Sequence, residues 1–312
     1  MLNEKSVGEL FAIKFWKIHG AGNDFIIINN VYEKIPKENF ATLARKLCDR
    51  RMSIGADGLM LVERASGSAD YRMVFYNSDG SQGEMCGNGA RCICRYGYET
   101  GLAGETQAVE TTAGLVTGRR ISERTYRIRL NDPAVCRLDE EVTVKPGEAY
   151  VRFTQENCSG ELRFLCSYVE LGNPGIPHCV VEIKGLQDRP REEVAAIGRM
   201  LRSYEGYPKG ANVNFYDIIG IDHVYECTFE RGVEDLTYAC GTGTGSTALV
   251  LTKKKLVSGK NVIFDMKGGR LSVDINMTGD KAADIFLTGP TNIVAKGEAV
   301  SYTHLRAHET DS

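Results

Sequence analysis

Two of the ten cysteines, Cys86 and Cys240, stand in nearly the same local sequence. Each is followed at once by a glycine-rich turn, Gly87-Asn88-Gly89 in one case and Gly241-Thr242-Gly243 in the other. Beyond each turn the apolar residues take helical spacing, so both cysteines are predicted to lie at the start of a helix.

A cysteine at a helix N-terminus is well placed for acid–base chemistry. The unpaired N–H groups and the partial positive charge of the helix end stabilise a thiolate, so we expect a lowered pKa for both thiols. The same N–H groups bind carboxylates, and glycines let a ligand approach the backbone closely. Two such sites facing each other can hold one carboxylate between them, with a sulfur on either side of its α-carbon.

This arrangement suits inversion of an amino-acid α-carbon without a cofactor. One thiolate removes the α-proton from one face, and the opposite thiol delivers a proton to the other face. The α-proton is weakly acidic, so positive potential at the carboxylate is needed where charge develops. We therefore predict Cys86 and Cys240 as the catalytic pair. We expect no metal ion, since the cysteines form no C-x-x-C pair and no histidine motif partners them. We expect no cofactor either, since no lysine stands out as a Schiff-base site.

The elements that must position these cysteines repeat once along the chain. The strand-like segments Tyr71–Tyr76 and Tyr225–Phe229 end ten and eleven residues before their cysteines. A hairpin pattern follows each helix, and the turn glycines Gly114 and Gly268 both lie 28 residues past the cysteine. The repeat predicts an α+β fold of two pseudo-symmetric domains. Each is a mixed, largely antiparallel sheet around a central helix, with the active site in the cleft between the domains.

The same repeat sets the predicted boundaries. The N-terminal half covers residues 13–131, with a returning segment at about 288–300, and the C-terminal half covers 132–287. Residues 1–12 and 301–312 are interpreted as terminal extensions.

Composition excludes several classes of partner. The net charge of −3 gives no field that would attract nucleic acid, and no apolar run is long enough to span a membrane. The N-terminus lacks a secretory signal pattern, and irregularly spaced cysteines fit a reducing compartment, so we expect a cytoplasmic protein. The remaining cysteines are expected to serve packing or to lie at the surface: Cys48, Cys92, Cys94, Cys136, Cys158, Cys166, Cys179 and Cys227.

Six stretches of the sequence resemble the diaminopimelate epimerases. They are HGAGNDF (19–25), GADGLMLVE (55–63), FYNSDGSQGEMCGNGARC (75–92), GNP (172–174), ANVNF (211–215) and TFERGVEDLTYACGTGTGSTA (228–248). The resemblance covers about residues 13–300, and the proline racemases resemble these motifs less. It implies epimerisation of LL-diaminopimelate to the meso form, a step toward lysine and peptidoglycan, by a cysteine pair without pyridoxal phosphate.

The resemblance also implies roles for individual residues. The backbone N–H groups of Gly87, Asn88, Gly241 and Thr242 would hold the carboxylate at the reacting centre. Glu230 would assist near the amino group. The far amino-acid head of the substrate would be bound by Asn23, Asn77, Asn173, Asn212 and Arg231, since guanidinium and amide groups suit a zwitterion.

One departure from the family pattern concerns a histidine. In the family a histidine follows G-N-P directly, whereas here Gly175-Ile176-Pro177 comes before His178. His178 is therefore a candidate site residue that either reaches the cleft on a reshaped loop or has left it.

Three other functions stay open at the level of sequence. The first is a racemase of another amino acid, such as histidine. The second is an amino-acid-binding protein that has lost turnover, and the third is a redox sensor that closes a Cys86–Cys240 disulfide. The expected partner is a small-molecule amino-acid substrate, and assembly into a homodimer stays open.

Overall fold

The computed structural model describes residues 11–83, 87–154, 160–173 and 175–301. Cys86, Cys158, and the end segments 1–10 and 302–312 lie outside the described residues. The first half contains β1 (Phe11–Gly20), β2 (Asn23–Asn29), α1 (Asn30–Glu33), α2 (Phe40–Cys48), β3 (Gly58–Glu63), β4 (Tyr71–Asn77), α3 (Gly87–Glu99), β5 (Thr106–Thr111), β6 (Gly114–Arg120) and β7 (Thr125–Leu130).

The second half and the returning strand follow. They contain β8 (Pro133–Val144), α4 (Glu148–Thr154), β9 (Leu162–Gly172), β10 (Gly175–Glu182), α5 (Arg191–Arg202), β11 (Asn212–Gly220), β12 (His223–Glu230), β13 (Asp235–Thr237), α6 (Gly241–Lys253), β14 (Val262–Met266), β15 (Gly269–Thr278), β16 (Lys281–Pro290) and β17 (Asn292–Ser301). Short 3₁₀ turns at Lys37–Asn39 and Leu186–Asp188 precede α2 and α5.

Strand pairing repeats in the two halves in the same order. In the first half β2 and β3 are parallel, β3 and β4 antiparallel, β4 and β5 parallel, and β5, β6 and β7 antiparallel. In the second half β10, β11, β12, β14, β15 and β16 follow the same succession of directions. The predicted α+β fold with two pseudo-symmetric halves is therefore confirmed.

The two halves are joined through one pair of strands and one exchange of chain. Strand β7 pairs with β16 in antiparallel register, which makes the sheet continuous. Strand β17 returns to the first half and pairs with β1 from Ser301↔Phe11 to Asn292↔His19. Strand β1 thus begins two residues before the predicted boundary at residue 13. The division into domains at residues 131 and 287 stays a prediction.

Each half encloses its long helix. Helix α3 packs against β1, β2, β6 and β7, and α6 packs against β9, β10, β11, β15 and β16. Every residue of Gly87–Gly97 and of Gly241–Leu251 is buried. A helix that is buried on all sides needs small or apolar residues all round, which the G-T-G-T-G-S-T-A run of α6 supplies. The two helices are therefore the centres of the two halves, as the sequence predicted.

The main hydrophobic core takes side chains from both halves. Phe25 and Ile93 from the first half belong to the same cluster as Leu249, Phe264 and Leu287 from the second. Most of the other cysteines are buried in packing positions, with Cys136 and Cys227 partly exposed. Among the residues that the structure describes, no helix is long and apolar enough to cross a membrane.

Replacing Leu287 by alanine tests whether the shared core unites the halves. Leu287 is fully buried, and truncation of a buried leucine costs about 2–5 kcal/mol in the free energy of unfolding. We expect calorimetry to show one unfolding transition at a lower temperature. Leu165→Ala is the control, because Leu165 is 58% exposed and should change stability little. Two separate transitions in Leu287→Ala would contradict a single shared core.

Candidate active site

The N-terminal ends of α3 and α6 meet at two glycines. A Cβ atom added to Gly87 would lie 3.3 Å from the Cα atom of Gly241, and one added to Gly241 would lie 3.1 Å from the Cα atom of Gly87. The same Cβ at Gly241 would lie 3.4 Å from the backbone nitrogen of Asn88. The two helix ends can approach this closely because neither residue has a side chain. Their positive ends therefore lie side by side.

Asn88 ties the first helix to the segment before Cys240. Its side chain is 1% exposed, and its Nδ2 donates a hydrogen bond of 3.0 Å to the carbonyl oxygen of Ala239. The fully buried Arg91 donates to the Oδ1 atom of Asn88 at 2.8 Å, which fixes the orientation of the amide. These hydrogen bonds hold the starts of α3 and α6 in a fixed position relative to each other.

Cys240 is the N-cap of α6, with extended backbone dihedrals of φ −123° and ψ 107°. Burial raises the pKa of the Cys240 thiol well above its ordinary value, and the charge of Glu230 raises it further. Hydrogen bonds from the Gly243 N–H and from Thr242 act in the opposite direction. For this cysteine the expected lowering of the pKa was wrong, because desolvation outweighs the helix-end donors. The thiol is its resting form at neutral pH.

Glu230 lies beside this thiol at the end of β12. The hydroxyl of Thr237 donates to its Oε1 atom at 2.6 Å. Burial raises the pKa of the Glu230 carboxyl, the charge of Asp57 adds to that effect, and hydrogen bonds with Thr237 and Cys240 oppose it. The second half therefore contains a carboxyl group in hydrogen-bond contact with the cysteine.

His178 is placed by β10 against the first turn of α6. Its ring is fully buried, with Nε2 3.1 Å from Thr242 Oγ1 and Nδ1 3.1 Å from Asn214 Nδ2. Asn214 Nδ2 also donates to the carbonyl oxygen of Cys179, and its Oδ1 accepts from Thr228. The Asn214 amide must therefore present N–H to the ring, which leaves the ring proton on Nε2.

In that tautomer, hydrogen-bond donors lead from His178 through Thr242 to Cys240. The His178 Nε2–H donates to Thr242 Oγ1, and the Thr242 hydroxyl lies 3.6 Å from Cys240 Sγ. Burial lowers the pKa of His178 to about 3, so the ring stays neutral at neutral pH. With its oxygen already accepting from the ring, the Thr242 hydroxyl is free to donate its hydrogen to a thiolate.

The other predicted residues lie at different distances from this centre. Asn23 donates to Asp57 at 2.7 Å, and its Oδ1 lies 3.5 Å from Asn88 Nδ2. Asn212, opposite His178 on β11, accepts the Arg231 backbone N–H at 2.8 Å.

Two further predicted asparagines lie at the ends of strands. Asn77 donates to Ser81 in the loop after β4, and Asn173 is exposed in the turn between β9 and β10. The hairpin is longer than the family pattern, and Gly175 pairs with Gly172 at its tip. In this hairpin His178 still reaches α6.

Sequence reasoning missed two residues of the site. Asn214 is the second asparagine of A-N-V-N-F, and a period of two on a strand places it on the same face as Asn212. Asp57 belongs to the G-A-D-G stretch and orients Asn23. Both residues belong to stretches that resemble the family, and the signal that could have identified them is the set of side chains that share a face in each stretch.

The described part of the chain holds no group of three or more His, Cys, Asp or Glu side chains arranged to bind a metal ion. The groups around Cys240 are instead hydrogen-bond donors and carboxyl groups, of which Glu230 is the one in contact with the thiol.

Comparison with known protein families gives a match over most of the chain. The sequence model of the diaminopimelate epimerase family matches residues 15–127 and 171–294. The chain belongs to the diaminopimelate epimerase family. It is 35% identical over 289 residues to the diaminopimelate epimerase of Alkaliphilus metalliredigens, covering 91% of this chain and 96% of that protein. It is 36% identical over 290 residues to that of Moorella thermoacetica, covering 91% and 98%.

Solved structures share the fold at low sequence identity. A hydroxyproline epimerase from Agrobacterium vitis superposes with a TM-score of 0.64 at 18% identity, covering 93% of this chain and 91% of that one. A methylitaconate Δ-isomerase gives a TM-score of 0.61 at 9% identity, covering 97% and 99%. Membership of the diaminopimelate epimerase family makes the chain an isomerase, which confirms the resemblance read from the sequence.

The neutral state of His178 predicts a pH dependence of stability. Between its ordinary value near 6.5 and the folded value near 3, the unfolded chain binds a proton that the folded chain does not. Stability therefore falls as pH decreases through this interval, by about 1.4 kcal/mol per pH unit from this group. Urea unfolding between pH 4 and pH 6.5 should show that extra slope in the wild type and lose it in His178→Gln.

The control for that slope is His223→Gln, because His223 lies partly exposed on β12 and pairs with Asp265. Equal slopes in the wild type and in His178→Gln would show that the ring is protonated in the folded protein.

Proposed function

We propose that the chain interconverts LL- and meso-diaminopimelate, using Cys86 and Cys240 as the two acid–base residues and no cofactor. The observation that carries the proposal is the contact between the starts of α3 and α6. Cys240 is the residue before Gly241, and Cys86 is the residue before Gly87. Consecutive Cα atoms are about 3.8 Å apart, so covalent geometry keeps Cys240 close to this contact, and we propose the same for Cys86.

The proposed reaction passes one proton between two sulfurs. The substrate α-carboxylate binds to the N–H groups of Gly87, Asn88, Gly241 and Thr242. A thiolate on one side breaks the α-C–H bond and takes the proton, and the electron pair delocalises into the carboxylate. The opposite thiol then gives its proton to the other face of the carbon, which leaves the charge on the second sulfur.

Cys240 is suited to the thiol role in the resting enzyme. Its raised pKa keeps the proton on sulfur until a carbanion forms beside it. When Cys240 becomes the thiolate, the hydroxyl of Thr242 and the N–H of Gly243 are the donors that stabilise it. The neutral His178 supports the resting thiol, because it cannot take the thiol proton at neutral pH.

Arg231 favours a substrate that carries a second carboxylate, because its side chain can bind one. Its guanidinium is exposed and donates to the carbonyl oxygen of Lys209, and the described residues contain no ion pair to it. A guanidinium with donors to spare binds a carboxylate in a bidentate geometry. Asn212 fixes the Arg231 backbone, and the same Asn212 lies opposite His178, which contacts Thr242 of α6. A dicarboxylic diamino acid would use both ends of the site.

The described cysteines are all free thiols, which suits a protein that works in the reducing cytoplasm.

Histidine or another monocarboxylic amino acid is the rival substrate, because the longer hairpin places Gly175, Ile176 and Pro177 before His178. A reshaped β9–β10 turn alters the part of the site that receives the far end of the substrate.

Isotope exchange separates these functions. Purified protein in deuterated water with reductant should introduce deuterium at the α-carbon of diaminopimelate and convert the LL form to the meso form. Label in histidine but not in diaminopimelate would overturn the substrate assignment. No label in any amino acid under reducing conditions would favour a binding protein or a redox sensor.

The cysteine pair is tested by single alanine substitutions. Cys86→Ala or Cys240→Ala removes one of two required acid–base groups, which is worth about 10²–10⁴-fold in rate or more. Epimerisation of diaminopimelate should fall by at least that factor in either variant while the fold stays intact by circular dichroism. Cys136→Ala is the matched control, since Cys136 is a partly exposed packing residue of β8. Turnover near the wild-type rate in either site variant would remove the two-base mechanism.

A further inference from the structure

A buried carboxyl group lies beneath the first turns of α6. Glu226 on β12 is 1% exposed, and both of its oxygens contact threonine hydroxyls of the helix. Thr244 Oγ1 is 2.6 Å from Oε2, and Thr247 Oγ1 is 2.5 Å from Oε1. Both threonines are fully buried. The acid–base steps described above make no use of this group.

The Thr244 hydroxyl joins Glu226 to the backbone of Cys240. Its oxygen is also 2.9 Å from the carbonyl oxygen of Cys240, which accepts the Thr244 backbone N–H at 2.9 Å as well. A hydroxyl has one hydrogen to donate, so only one of these two oxygens receives it at a time. If Glu226 is ionised, both threonines donate to the carboxylate. If Glu226 is protonated on Oε2, it donates to Thr244, and Thr244 donates to the Cys240 carbonyl.

The first half of the molecule shows that the fold does not require this carboxyl group. Thr244 and Thr247 lie four and seven residues after Cys240, where α3 has Ala90 and Ile93 after Cys86. Glu226 lies three residues before Phe229, where β4 has Met73 before Tyr76. Met73, Ala90 and Ile93 are buried members of the main hydrophobic core. The same space is therefore filled by apolar side chains in one half and by a hydrogen-bonded acid in the other.

Burial raises the pKa of Glu226 to about 7, although the hydroxyls of Thr244 and Thr247 lower it. Among the ionisable residues of the neighbouring elements, Tyr216 lies opposite Glu226 on β11, Cys227 follows it on β12 and Cys240 begins α6, while Glu230 lies further along β12 and His178 on β10. Negative charge on Glu226 raises the pKa values of Cys240 and of Cys227. Of these two, Cys240 is the one at the contact of the helix ends.

We propose that Glu226 is a positioning residue for Cys240, whose neutral carboxyl group braces the start of α6 through Thr244 and whose ionisation opposes the Cys240 thiolate. This inference rests on the proposed role of Cys240 as an acid–base residue. It makes the two pseudo-symmetric cysteines unequal, because the first half has methionine at the corresponding position. The activity of Cys240 then depends on whether the carboxyl group of Glu226, about one helical turn below it, is protonated.

Glu226→Gln tests the proposal, since glutamine has the shape and hydrogen-bonding capacity of the neutral acid and cannot ionise. The measurement is the rate at which iodoacetamide alkylates Cys240 across a pH series, read by mass spectrometry of the Cys240 peptide. Without the negative charge the midpoint should move to lower pH, by about half a unit or more. The midpoint for Cys136 in the same digests should not move, and the pH profile of epimerisation should shift with Cys240.

A second variant keeps the test decisive if Glu226→Gln does not fold. The triple substitution Glu226→Met, Thr244→Ala and Thr247→Ile copies the apolar set of the first half, and it too lacks the charge. It should lower the midpoint pH of Cys240 alkylation. Because it also removes the hydrogen bonds that brace the start of α6, it should reduce the rate of epimerisation more than Glu226→Gln does.

An unchanged Cys240 midpoint in the folded variants would overturn the inference. So would equal shifts at Cys240 and Cys136, because these would report a general loosening of the structure. Alkylation does not depend on turnover, so absence of epimerisation in the wild type would count against the proposed function alone.

Discussion

The whole site depends on the contact between two helix ends. Gly87 and Gly241 allow the backbones of α3 and α6 to approach so closely that a single methyl group at either residue would crowd the other helix. Unpaired N–H groups and partial positive charges are thereby concentrated on one small volume. A carboxylate bound there is stabilised by both halves of the molecule at once. The enclosing sheets, the shared core and the Asn88 bridge to Ala239 all act to hold this contact in place.

The duplicated fold supplies two similar helix ends, yet their surroundings differ. Around Cys240 lie the neutral ring of His178, the hydroxyl of Thr242 and two carboxyl groups. Glu230 lies beside the thiol, and Glu226 lies beneath the first turns of α6. The equivalent of Glu226 in the first half is apolar. The proposed two-base reaction needs one thiol and one thiolate at any time, so unequal environments are compatible with symmetric backbones. The backbone repeat provides the geometry, and the side chains divide the roles.

Much of the fold was accessible from local patterns, because the alternating strands, the glycine turns and the helical spacing near Cys86 and Cys240 are short-range signals. The parallel pairing of β2 with β3 and of β10 with β11 required the repeat as a whole, and only the coordinates give their register. The lowered pKa expected for Cys240 was wrong because sequence spacing does not report burial. The roles of Asn214 and Glu226 could not be predicted for a related reason. A polar residue in a strand shows its role only when its hydrogen-bond partners on other elements are known.

In the proposed mechanism, epimerisation needs the two helix ends in contact. The most direct measurement is kcat/KM for diaminopimelate in Gly241→Ala beside Gly104→Ala, whose added methyl group meets open space. A misplacement of the order of 1 Å costs roughly 10²-fold in rate, so Gly241→Ala should fall by about that factor while its fold persists and Gly104→Ala stays near wild type. Equal rates in the two variants would contradict the account.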